Sequence, residues 1–286
     1  MKIQHKFYLK FIDTSNGKVD SDDCIINPLL KEEEKTQIKR LLNTFCDLYD
    51  GKLGKFNGFE CSITLKTHND LLPKKPYFIT PQVRKELDKI LRRHVNDGIL
   101  RRATNEPITY ASPVLLVLKY PNLPVNHENQ KHRLVCDFRD INLYIQDLPT
   151  VPPNIKDIFS ELVRAKWFCV LDMSQGFHQI VLSKDSQVHT AIITYDSIYV
   201  WQRLPQGIKT GVAIFQEVSN FICKDKPTTD DGYVAIKQFS NCLFIYDCAL
   251  ASQISIKVTN FLTNRQCVFG LTCNFTYTLI KTFPLA

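Results

Sequence analysis

The sequence predicts an α+β protein with two lobes. Helical stripes and short strand-like runs are interspersed along the chain, and the strands read as antiparallel pairs joined by turns. With 286 residues at 44% hydrophobic content, the chain is long and apolar enough to bury more than one core.

A formal net charge of +7 hints at a polyanionic partner, although many basic soluble proteins have none. The ten cysteines are scattered without CxxC or CxxxC pairs, so they read as reduced, mostly buried thiols rather than a disulfide framework. No signal-peptide core follows Met1, and no window approaches the roughly 20 apolar residues of a membrane span. The expectation is a soluble, intracellular protein with no membrane partner.

The elements follow in chain order. Residues 1–30 lack periodicity and are expected as a lead-in. After the charged run "KEEEK", Ile38, Leu41, Leu42, Phe45 and Leu48 recur at helical spacing, and Gly51, Gly54 and Gly58 end that amphipathic helix. The prolines of "PKKPYFITP" favour an extended arm. Thr80 as cap, Pro81 in the first turn, the stripe Val83, Leu87, Ile90, Leu91 and Val95, and a stop at Gly98 predict a second helix. "SPVLLVLKY" and "HRLVCDFR" read as a long hairpin with a mobile tip and a basic, exposed outer end.

Beyond "DLPTVPP", Ile155, Ile158, Phe159, Leu162 and Val163 predict a helix, and the apolar run Trp167 to Leu171 predicts a buried strand ending on Asp172. "HTAIITY" and "IYVWQRL" form a hairpin around Asp196-Ser197, followed by a helix carrying Ile214, Phe215, Val218, Phe221 and Ile222. "NCLFIYDCALAS" reads as a strand pair with arms around Tyr246-Asp247-Cys248. A short helix with Ile256, Val258, Phe261 and Leu262 is expected after it, with a stop at Gly270.

Asp172 and Asp247 therefore each close an apolar strand. If the strands are neighbours, the two carboxylates can meet at one sheet edge, where they repel unless a cation lies between them. Oxygen ligands without a nearby histidine favour Mg²⁺ or Mn²⁺ over zinc. Taken singly, an aspartate at a strand end is ordinarily just solvated, and the pairing alone does not decide between the two readings.

Four segments add weight: "LVCDFRDIN" (134–142), "VLDMSQGFHQI" (170–180), "RLPQGIKTGVAIFQ" (203–216) and "CLFIYDCALAS" (242–252). In order and approximate spacing they resemble the reverse transcriptases of long-terminal-repeat retrotransposon and retroviral Pol proteins, over roughly residues 60–275. The resemblance implies a right-hand polymerase fold with fingers at about 76–165 and an antiparallel palm sheet at about 166–275. These lie within a region 59–286 that follows a 1–58 lead-in, with the thumb largely absent. It further implies an RNA-directed DNA polymerase that takes an RNA or DNA template with primer and deoxynucleoside triphosphates, and uses Mg²⁺ or Mn²⁺.

Carried over by position, Asp172 and Asp247 match metal-binding catalytic aspartates. Phe177 matches the aromatic residue that excludes a ribose 2′-hydroxyl. Arg133 matches the arginine that stacks on the incoming base and reaches its phosphates, and Lys119 is near the triphosphate lysine. Gln206 and Gly207 match the turn beneath the nucleotide sugar. The chain departs from the pattern at Cys248, which stands where the family's Y-x-D-D hairpin has its second aspartate, and at Val212, which stands where proline is usual. A thiol is a soft, poor partner for Mg²⁺, so the departure opens an alternative: a non-catalytic nucleic-acid-binding remnant or co-opted pseudo-polymerase.

Overall fold

The computed structural model describes residues 5–10, 32–44, 52–58, 60–66, 71–72, 74–124, 127–128, 130–149, 167–172, 175–222, 234–239, 242–247 and 276–281. The helices expected around 155–163 and 256–262, and the position of Cys248, lie outside the described residues.

The chain divides into two compact units, neither of them a single stretch of sequence. One comprises Phe59–Pro149 and Ile180–Ile214; the other comprises Met1–Gly58, Thr150–Gln179 and Phe215–Ala286.

The first unit is built on a five-stranded sheet of β2 (Leu100–Arg102), β3 (Ser112–Leu118), β4 (His132–Cys136), β6 (Ile192–Ile193) and β7 (Ile198–Trp201), in the order β2-β7-β6-β3-β4. Three of its four pairings are antiparallel. The exception is β3 with β6, which run parallel through Ser112 opposite Ile192. A parallel pair needs a long connection. That is why residues 180–214 return to a sheet begun some 80 positions earlier, and why no single cut separates the units.

Helix α2 (Pro81–Asn96) buries Leu87 and Leu91, as its stripe predicts, while Val95 stays 40% exposed. Thr80 occupies the cap position in extended conformation, but its hydroxyl makes no capping bond; Pro81, with its preset φ, starts the helix instead. The stop is as expected. Gly98 has φ +64, a left-handed conformation that suits glycine, and its N–H donates to the carbonyl of Val95 at 3.1 Å. The hairpin from β6 to β7 pairs Ile193 with Ile198, and Thr194 closes it, its hydroxyl donating to Asp196 Oδ1 at 2.8 Å. Among the described residues this unit also carries two short α-helices, α3 (Arg139–Tyr144) after β4, and α4 (Lys184–Gln187).

The second unit holds α1 (Glu32–Thr44) and an antiparallel sheet of β5 (Trp167–Asp172), β8 (Val234–Phe239) and β9 (Cys242–Asp247), in the order β5-β9-β8. Two outcomes differ from the sequence reading. The lead-in contains a strand, β1 (His5–Lys10), paired with β10 (Thr276–Lys281); "HKFYLK" alternates too weakly to declare itself, and a partner some 270 positions away supplies the ladder. In addition, β9 takes its hairpin partner from the segment before it, β8, with two residues between the strands. Helix α5 (Gly211–Ile222) follows the predicted stripe, burying Ile214, Phe215 and Val218; Val212 lies on its solvent side at 64% exposure.

Candidate functional site

In the hairpin of β3 and β4, Leu118 lies opposite His132 and Val117 opposite Arg133, and the Lys119 N–H donates to the Lys131 carbonyl at 2.7 Å. Residues opposite each other across an antiparallel pair share a face, and so do residues two apart on one strand. Lys119, Lys131 and Arg133 therefore crowd one face of this hairpin. All three are exposed, and among the described residues none has an ion-pair partner. Such crowding of like charge costs stability unless an anion lies against it. Lys119 Nζ also lies 5.5 Å from the centre of the Tyr120 ring. The hairpin's outer loop is tied by Gln130, whose amide donates to the carbonyls of Tyr120 (2.7 Å) and Leu123 (3.1 Å).

Where β4 ends, the sequence reading passed over an acid–base cluster. Asp137 accepts from Arg139 through Nε and Nη2, both at 2.8 Å, and from the Tyr77 hydroxyl at 2.6 Å. The Arg139 guanidinium, aided by that hydroxyl, holds the Asp137 carboxyl well below the usual carboxylate range despite its burial. Arg139 itself remains exposed, and Tyr77 brings the proline-rich arm onto this corner.

Gln206 and Gly207 sit at an exposed turn after Leu204-Pro205. Gly207 has φ +96, a backbone conformation L side chains rarely adopt. The turn is gripped by Asn142, which also escaped the sequence reading: its Nδ2 donates to the Gly207 carbonyl and its Oδ1 accepts from the Lys209 N–H, both at 2.8 Å. No sequence signal pairs residues 65 positions apart.

Phe177 lies in a single 3-10 turn, Gly176–Gln179, entered through Gln175 at φ +47. It is half-buried, and its ring stacks on Phe215 of α5 with centroids 5.0 Å apart and planes at 12°. A left-handed non-glycine residue beside a stacked, partly open aromatic is the kind of strained local geometry that gathers at functional positions.

The strands carrying Asp172 and Asp247 are neighbours, the condition a shared site requires, but the two residues are not brought together. In the antiparallel register Asp172 lies opposite Cys242, and Asp247 opposite Trp167. The aspartates thus close opposite ends of one six-residue ladder, about 17 Å apart at roughly 3.4 Å per residue. The expectation of a shared sheet edge assumed that two strands ending on carboxylates end at the same side; antiparallel neighbours cannot do so when both aspartates are the last residues of their strands.

Residues 123–260 match the reverse transcriptase (RNA-dependent DNA polymerase) family. The chain is 30% identical over 219 residues to the retrovirus-related Pol polyprotein from transposon 297 of Drosophila melanogaster, covering 76% of this chain and 19% of that protein. It is 28% identical over 195 residues to a putative enzymatic polyprotein of cassava vein mosaic virus, covering 67% of this chain and 28% of the relative. The chain thus spans between about a fifth and just over a quarter of the length of these relatives. Among solved structures, the foamy viral protease-reverse transcriptase in complex with dsDNA superposes with a TM-score of 0.71 at 20% identity, covering 90% of this chain and 50% of the other. The same protein in complex with an RNA/DNA hybrid gives 0.68 over 86% of this chain and 31% of the other, again at 20% identity. The fold is that of a polymerase fingers and palm.

Proposed function

The chain carries a reverse transcriptase domain of the kind found in retrotransposon and retroviral Pol polyproteins, and on that premise we propose that it is an RNA-directed DNA polymerase module. Its substrates are an RNA or DNA template with primer and deoxynucleoside triphosphates. The observation that supports this reading is the cationic face of the β3–β4 hairpin, where Lys119, Lys131 and Arg133 have no ion-pair partner among the described residues, which suits phosphate. Arg133 offers a planar donor fork to the incoming nucleotide, and Lys119 a point charge to its triphosphate. Phe177, backed by Phe215, excludes a ribose 2′-hydroxyl. Gln206 and Gly207 floor the sugar, where glycine permits close backbone approach.

Asp172 and Asp247 are the hard oxygen ligands in this reading, and a bound Mg²⁺ or Mn²⁺ pair would activate the primer hydroxyl and neutralise the leaving pyrophosphate. Such a pair spans about 4 Å. The β5–β9 register separates the two aspartates by far more than that, so these residues do not fit a shared metal pair in this arrangement.

That register, together with Cys248 after Asp247, favours a second reading: a domain that holds nucleic acid without polymerising it. Single-nucleotide primer extension alongside template–primer binding separates the two. On the polymerase reading the natural chain extends feebly, Cys248→Asp raises the rate by about 10²–10³ by restoring an acidic group, and Asp172→Asn abolishes the gain. On the second, all three variants bind template–primer and none extends it. Failure of the natural chain to bind template–primer at low salt refutes both.

A further inference from the structure

We propose that Asn142 is a positioning residue: its side-chain amide sets the Gln206–Gly207 turn at the height the deoxynucleotide sugar requires. The inference rests on the reading of that turn as the floor beneath the sugar.

The geometry uses both halves of the amide. Nδ2 donates to the Gly207 carbonyl and Oδ1 accepts from the Lys209 N–H, each at 2.8 Å, so one side chain spans the turn from Gly207 to Lys209. These partners also fix which way the amide faces, since a carbonyl can only accept and an N–H only donate. The residue is anchored from its own side by the Asn142 N–H, which donates to the Phe138 carbonyl at 2.9 Å, and a Cβ added at Gly207 would lie 3.6 Å from the Phe138 ring. The segment Phe138 to Asn142 thereby holds the turn through the two hydrogen bonds of Asn142, with the Phe138 ring beside it.

Aspartate matches asparagine in shape but lacks the donor for Gly207, and alanine lacks both groups. The nearby ion pair of Lys209 with Asp147, at 2.5 Å, reaches the same turn by an exposed and separable route.

The test uses the full chain and four measurements: hydrogen exchange at the turn amides, thermal stability, template–primer affinity, and affinity of the complementary deoxynucleoside triphosphate for a dideoxy-terminated template–primer with Mg²⁺. Asn142→Ala should speed exchange of the Lys209 amide at least about tenfold and weaken nucleotide affinity about tenfold, the loss expected for one well-made hydrogen bond, while template–primer affinity stays within about twofold. Asn142→Asp keeps the acceptor, so the Lys209 amide should stay protected while nucleotide affinity falls as for alanine. Asp147→Asn should leave all four unchanged. Unaltered nucleotide affinity in Asn142→Ala despite a loosened turn overturns the inference, as does a loss shared equally by nucleotide and template–primer in step with the melting temperature. If the unmodified chain holds template–primer but no nucleotide, the floor reading fails and the inference falls with it; the exchange data then still report whether the clamp exists.

Discussion

Replacing His94 by phenylalanine should flatten the acid limb of the stability profile. His94 lies in the last turn of α2, its ring 6.0 Å from that of Trp201 on β7 and tilted at 51°. Burial pulls its pKa from 6.5 down to about 4, with Arg93 assisting and Asp97 opposing. Because the folded-state value is the depressed one, the unfolded chain binds the proton first. Stability is full above about pH 6.5 and is lost as pH falls toward 4. With these two values the single-site linkage relation gives a loss on the order of 1 kcal/mol between pH 7.5 and 5.5. Phenylalanine keeps an aromatic partner for Trp201 and carries no proton. Urea unfolding of both proteins at pH 7.5, 6.5 and 5.5 isolates the His94 contribution, because the carboxylates titrate alike in each. The difference in unfolding free energy between the two should shift by roughly 1 kcal/mol across that range, in favour of the variant at low pH. Parallel profiles, with the difference constant within about 0.3 kcal/mol, would refute the assignment of a neutral, half-buried imidazole.

Three further outcomes follow from the site. Template–primer affinity should fall steeply with salt, and Arg133→Gln should lower the slope of log affinity against log salt by about one; an unchanged slope would remove Arg133 from the phosphate contacts. In an extending version of the protein, Phe177→Ala should admit ribonucleotides, and unchanged discrimination would take Phe177 out of the sugar site. Gly207→Ala should destabilise by about 1–2 kcal/mol through backbone strain alone, since the added methyl would meet the Phe138 ring at an ordinary 3.6 Å; a loss below about 0.3 kcal/mol in chemical denaturation would contradict the left-handed turn.

Features that depend on local periodicity and local chemistry were legible in the chain alone. Strands β3, β4 and β5, the Ile193–Ile198 hairpin, and helices α2 and α5 follow from apolar spacing, proline and glycine, because these elements are specified by residues within a turn or two of each other. The four ordered motifs likewise sufficed for the reverse transcriptase resemblance, since order and spacing are properties of the chain. Features that depend on distant partners emerged only from the folded arrangement. Strand β1 is held by β10, the first unit is closed by a parallel pairing of Ser112 with Ile192, and Asn142 meets Gly207 across 65 positions. The two aspartates show the limit most plainly. That each ends an apolar strand is legible in the sequence, but whether two strand ends coincide depends on direction and register. An antiparallel ladder from Trp167–Asp247 to Asp172–Cys242 sends them to opposite ends.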